Sequence, residues 1–171
     1  MSDEIAFKQF VELFAGNTSA YGSEQGSCVH AELTVDNYRM HLTGDQPIGV
    51  YPLIHQDGEW LVHWGCVDLD VKSDHKRRWD YDTSDEAFIA ARNLRMALAV
   101  LGIDSFIEST KSGGYHVWVF AEVWVPAADM RRTLLVACGL AEVPPTEVNP
   151  KSEGFADPTS LGNYVRLPYP S

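Results

Sequence analysis

Apolar residues recur at Phe7, Phe10, Val11 and Phe14, the i, i+3, i+4, i+7 spacing that lays four side chains on one helical face, and Gly16 supplies the stop. Residues 16–47 then break into small, polar and turn-forming groups, with short apolar pieces that read as strands or as ordered loop. From Ile48 the pattern sharpens. Residues 48–54 and 60–71 are rich in β-branched and aromatic side chains around the polar Gln56-Asp57-Gly58 turn, which predicts a hairpin. Thr83 with Glu86 three residues on forms a capping box, after which Phe88, Ala91, Leu94, Leu98 and Leu101 make an apolar stripe ended by Gly102. A short strand is predicted at 103–109 and a longer one at 115–125, joined by Thr110-Lys-Ser-Gly-Gly114. Pro126 opens a second helix that closes at Gly139, and 144–148 and 164–167 add two short strands.

From Trp60 to Val148 the order is strand, helix, strand, strand, helix, strand. That order defines an α+β class with an RRM-like or ferredoxin-like βαββαβ palm core, here carrying an N-terminal helix and additional strands. The crossover rule then puts the first and third strands side by side and antiparallel in mid-sheet, with the fourth flanking the first. The length, 171 residues, suits one domain spanning 1–171, with the helix and irregular segment of 1–47 packed on a core at 48–168.

Charge narrows the function classes. With 24 acidic and 13 basic residues the chain carries −11, the wrong sign for a protein that coats nucleic acid or membrane through a summed positive field. No stretch approaches the roughly 18–20 continuous apolar residues of a membrane span, and Met1-Ser-Asp-Glu lacks the basic region of a signal peptide, so a cytoplasmic protein without membrane partners is expected. Cys28, Cys66 and Cys138 are odd in number and widely separated, and they read as reduced, mostly buried thiols.

The candidate chemistry begins with Asp68 and Asp70. Side chains two apart on a strand share a face, so these carboxylates either flank a hard cation such as Mg2+ or Mn2+ or stand solvated at a strand end. The turn Lys111-Ser112-Gly113-Gly114 either offers backbone N–H groups and a positive charge to a phosphate or simply closes a hairpin, and His116 follows on the strand. The predicted strand order places His116 beside Asp68 and Asp70, with Glu147 on the flanking strand. Three acids and a histidine converging from separate chain positions suit two divalent ions that activate a hydroxyl and stabilise a leaving pyrophosphate.

These residues resemble the archaeo-eukaryotic primase superfamily, in particular primase-polymerases of phages and mobile elements. The similarity runs from Glu12-Leu-Phe14 through His41-Leu-Thr-Gly44, Gly49-Val-Tyr-Pro-Leu53, Val67-Asp-Leu-Asp70, Glu108-Ser-Thr-Lys-Ser-Gly-Gly-Tyr-His-Val-Trp118 and Glu147-Val-Asn-Pro-Lys151 to Gly162-Asn-Tyr-Val-Arg-Leu-Pro168. The resemblance implies a nucleotidyltransferase, a DNA primase and DNA-directed polymerase that makes or extends primers on a single-stranded DNA template from ribo- or deoxynucleoside triphosphates. It implies that Asp68, Asp70 and Glu147 bind the catalytic metals, with Glu142 as the other candidate third ligand. It also implies that His116 contacts the triphosphate and that Asn163 and Arg166 add phosphate contacts, Arg166 otherwise being an edge-strand surface residue. A helicase or accessory priming domain outside this sequence is a further implied partner. Relatives carry Ser-x-His where this chain has Gly114 two residues before His116.

Three further readings concern single segments. Lys72, Lys76, Arg77 and Arg78, with His75 and Trp79, either track a nucleic-acid backbone or form a solvated charge run. His41 stands either near the nucleotide or as a loop anchor. Trp60, Trp64, Trp118 and Trp124 read as sheet core. The competing function is a non-catalytic RRM-like nucleic-acid-binding module, although the Lys/Arg-Gly-aromatic pattern such modules need lapses after Tyr115. Cyclic-nucleotide synthesis or phosphodiester cleavage on the same fold lacks a signature here.

Overall fold

A computed structural model describes residues 2–72, 81–145 and 147–169. The basic segment His75, Lys76, Arg77, Arg78 and Trp79 lies outside the described residues. In chain order the elements are α1 (Ser2–Leu13), β1 (Tyr21–Ser23), β2 (Cys28–Val29), α2 (Val35–Thr43), β3 (Ile48–Val50), β4 (Ile54–Gln56), β5 (Glu59–Leu69), α3 (Ser84–Val100), β6 (Phe106–Ser109), β7 (Tyr115–Pro126), α4 (Ala127–Ala141), β8 (Glu147–Asn149) and β9 (Val165–Arg166).

The main sheet runs β4-β5-β7-β6, with β8 also paired to β5. Since β7 follows one edge of β5 from Leu61 to Leu69, β4 and β8 share the other, β4 at Glu59 to Leu61 and β8 at Cys66 to Asp68. Strands β5 and β7 are therefore central and antiparallel with β8 flanking β5, the order expected from the βαββαβ pattern. A second sheet, β2-β1-β3-β9, is antiparallel throughout.

Each face of the main sheet has its own core. Val62, Val67, Leu69, Val117 and Val119 pack on Ala91, Leu94, Leu98, Leu134 and Cys138 of α3 and α4. Trp64, Cys66 and Trp118 face the other way, onto Phe7 of α1, Phe14 just after it, and Ile48, Val50 and Val165 of the second sheet. Strict alternation would put Val62 and Trp64 on one face. The register with β7 shifts between them, His63 standing opposite residues 121–124, and past this irregularity Trp64, Cys66 and Asp68 face away from the helices. Trp64 and Trp118 are core, as their strand positions predict, whereas Trp60 and Trp124 are half-buried.

The structure corrects three expectations. Residues 48–54 are not one strand: β3 belongs to the second sheet and β4 to the main sheet, and Pro52, which lacks an N–H and cannot continue a ladder, sits where the chain passes between them. The irregular stretch 16–47 contains helix α2, capped by Thr34 and closed by Gly44 in the left-handed conformation. Helix α3 keeps its predicted cap, with Thr83 Oγ1 accepting from the Glu86 amide, but its buried stripe is Ala87, Ala90, Ala91, Leu94, Ala97 and Leu98, while Phe88 and Leu101 stay well exposed. Of the cysteines, Cys66 and Cys138 are buried and Cys28 is exposed, all three as free thiols. Among the described residues no helix is long and apolar enough to cross a membrane.

Candidate active site

One row of side chains crosses four strands. Glu108 on β6 is register partner to His116 on β7, His116 to Asp68 on β5, and Asp68 to Glu147 on β8. At about 4.8 Å between strands the row spans roughly 14 Å, and all four residues face the second sheet. The next row towards the core is Phe106, Trp118, Cys66 and Asn149. A chemical row of three acids and a histidine thus lies directly against a mostly apolar one that fixes its depth.

The histidine is held from both sides. Glu108 Oε2 lies 3.0 Å from His116 Nδ1 and also accepts from Trp118 Nε1 at 2.7 Å, while Asp68 Oδ2 lies 3.6 Å from His116 Nε2. Burial pulls the imidazole pKa down, but the two flanking carboxylates outweigh it and hold the group up at about 9, so the ring is cationic at neutral pH. Lys151 closes the far end of the row, its ammonium 2.6 Å from Glu147 Oε2. Arg131 fixes the backbone between them by donating to Val148 O and Pro150 O.

Asp68 Oδ1 is buried and has no hydrogen-bond partner among the described residues. A buried anionic oxygen faced by no donor is costly, and a hard divalent cation is a group it fits, with Asp70 two residues on and Glu147 opposite offering further carboxylate oxygens. As the side chains stand, Glu147 is turned onto Lys151, and no group of three His, Cys, Asp or Glu among the described residues forms a closed ligand cluster.

All four residues of the row line, wholly or in part, an open cleft of about 1690 Å3 between the two sheets. Its wall beside the row is Thr110, Lys111 and Ser112, and across it stand Asn163, just before β9, and Arg166 of β9, whose guanidinium also donates to Glu24 O. Gly113 and Gly114 shape the turn rather than this wall. The Gly113 amide is spent on Thr110 O, with φ at +86°, and a Cβ at Gly114 would come within 2.5 Å of Leu69 O. The groups the turn presents are thus the Lys111 ammonium and the paired hydroxyls of Thr110 and Ser112, 3.0 Å apart.

Residues 16–170 match the archaeo-eukaryotic primase domain of the TOTE conflict system. The chain belongs to that primase family. Membership carries a function of primase or nucleotidyltransferase type, with nucleotides and nucleic acid as its general substrates, in a mobile-element setting. No curated protein matches the sequence.

In this primase domain the candidate third acid is placed by topology. Glu147 stands opposite Asp68, whereas Glu142 is the exposed C-cap of α4, whose buried side packs on the opposite face of the sheet, and it does not line the cleft. His41 is a loop anchor. It is buried, Ile48 N–H donates to its Nδ1, and its Nε2 meets Pro168 O at 3.0 Å, which uses both ring nitrogens. Lys72 pairs with Asp82 at 2.6 Å beside the basic segment. Sequence reasoning assigned no role to Glu108 or Arg131. The signal for Glu108 was its place one residue before the end of the predicted strand, which pairs it with His116 once β6 and β7 are registered as a hairpin.

Proposed function

We propose that this primase domain is a template-directed nucleotidyltransferase that synthesises or extends primers on single-stranded DNA. The observation that supports the reading is the row Glu108, His116, Asp68, Glu147, which sets a histidine between one carboxylate and two further acids, a set suited to holding metal ions and a triphosphate. Asp68, Asp70 and Glu147 are the residues that would hold two Mg2+ or Mn2+ ions. Bound there, such ions would supply charge neutralisation at the α-phosphate and acidify the attacking 3′-hydroxyl.

The chain's own groups do the rest. His116 and Lys111 bind the triphosphate as cations, and the Thr110 and Ser112 hydroxyls donate to its oxygens. Arg166 of β9 and Asn163 just before it approach from across the cleft. Glu108 holds the imidazole ring in one orientation, with Nε2 towards Asp68, so that the ring edge beside the metal-binding acids helps keep the α-phosphorus in line with the primer oxygen. Each cycle joins the primer 3′-oxygen to the α-phosphorus and releases pyrophosphate. The net −11 charge is compatible with such substrates because the acids cluster where cations bind.

The test is pyrophosphate release with Mn2+ or Mg2+ in the presence of single-stranded DNA, a primer and each nucleotide in turn. Release that requires the template and only the complementary nucleotide supports the reading. Release without template would assign another triphosphate reaction, and no release under any condition would leave a nucleic-acid-binding module on the same fold.

A further inference from the structure

We propose that Phe106 is the stacking platform for the base of the incoming nucleoside triphosphate, an inference that rests on the nucleotidyl-transfer reading above. Phe106 is a large apolar side chain left 60% exposed on β6, which among the described residues pairs only with β7. It lies two residues before Glu108, on the same face of the sheet, and it lines the same cleft. Its ring rests on Phe120 at 5.9 Å between centroids, and Phe120 stacks with Trp118 at 6.3 Å and 11°. Trp118 in turn donates to Glu108, so the platform is tied to the carboxylate that holds His116.

Two features commit this surface to a nucleotide base. The first is span: Ser109 lies three residues after Phe106, roughly 10 Å along the strand, and Thr110, Lys111 and Ser112 follow at once. An extended nucleoside triphosphate with its terminal phosphates on that turn reaches back along β6 towards Phe106, passing His116 on the way. The second is charge. The turn presents the Lys111 ammonium and the Thr110 and Ser112 hydroxyls, while Phe106 is an uncharged aromatic face, matching an anionic triphosphate joined to a flat base. Because any base has a π-face, such a platform contributes affinity without selecting a sequence.

The test is calorimetric binding of ATP and of inorganic tripolyphosphate, both with Mn2+, to the wild-type chain, Phe106→Ala and Phe106→Trp, with a single-stranded oligonucleotide as a third ligand. Phe106→Ala should weaken ATP about thirtyfold, the middle of the range for one lost base stack, while leaving tripolyphosphate unchanged, and Phe106→Trp should restore ATP binding. Wild-type affinity for ATP in Phe106→Ala would overturn the proposal alone. So would an equal loss of tripolyphosphate, or a loss confined to the oligonucleotide, which would assign the aromatic to a base of the strand instead. If the wild-type chain binds neither ATP nor tripolyphosphate, this inference and the nucleotidyl-transfer reading fail together.

Discussion

Glu108 and His116 face each other across β6 and β7, and a single oxygen, Glu108 Oε2, receives both His116 Nδ1 at 3.0 Å and Trp118 Nε1 at 2.7 Å. A histidine oriented by a carboxylate has one defined ring position, and its other nitrogen is directed at the acids of the next strand. Glu108→Gln keeps the shape but removes the charge, and its amide cannot accept from both rings as strongly. The expected outcome is a nucleotide KM raised about tenfold with a smaller change in kcat, the scale of one lost charge-assisted contact of 1.5 kcal/mol or so. Steady-state incorporation kinetics measure it, and an unchanged KM would remove Glu108 from the site.

The protonation of His116 ties the site to stability. Its folded pKa of about 9 lies above the ordinary 6.5, so in the metal-free protein the stabilisation is fully present below about pH 6.5 and is lost as pH rises through about 9. Denaturation midpoints of metal-free wild type and His116→Gln, compared at pH 6.5 and pH 9.5, read this directly. Wild type should lose more stability over that interval than the variant. Equal losses would mean that the imidazole is neutral when buried between Asp68 and Glu108.

His41 makes the opposite prediction. Burial pushes its pKa down, against the smaller raising effects of Pro168 O and Glu108, and its neutral ring joins the end of α2 to β3 and to the segment after β9. His41→Ala leaves a buried N–H of Ile48 and a carbonyl of Pro168 unpaired, a loss of about 2–6 kcal/mol at 1–3 kcal/mol for each group. Thermal denaturation should show this as a large fall in Tm, and the folded fraction assayed below that temperature should keep its nucleotide KM. A KM change without a stability change would place His41 at the nucleotide.

Gly114 tests the turn. A methyl group there meets Leu69 O at 2.5 Å and cannot be absorbed by a flexible side chain, so Gly114→Ala must push the Lys111 turn away from the end of β5. The expected result is weaker tripolyphosphate binding with Asp68 and its row intact, read by calorimetry. Unaltered binding would mean that the turn moves without carrying the phosphate contacts with it.

The legibility of these features in the sequence follows their physics. The βαββαβ order was readable because long β-branched strands and a capped amphipathic helix have strong periods, and strand order then brought Asp68, His116 and Glu147 together. The split at Pro52 was not readable, since a short apolar run carries no label for the sheet it joins. Nor was α2, where polar residues such as Asp36, Asn37 and Arg39 hide a helix resting on Tyr38 and His41. The bulge before Trp64 left no mark in composition, although it decides which face Asp68 occupies. Glu108 escaped because its role is a cross-strand relation, visible only when two strands are paired residue by residue.

The most direct test of the central claim is primer synthesis on single-stranded DNA with labelled nucleotides and Mn2+, comparing wild type with the Asp68→Ala/Asp70→Ala variant after circular dichroism shows both folded. The account predicts a ladder of short products from wild type and none above background from the variant. Products of equal yield from both proteins would contradict it, because they would place the chemistry away from the row that Asp68 anchors.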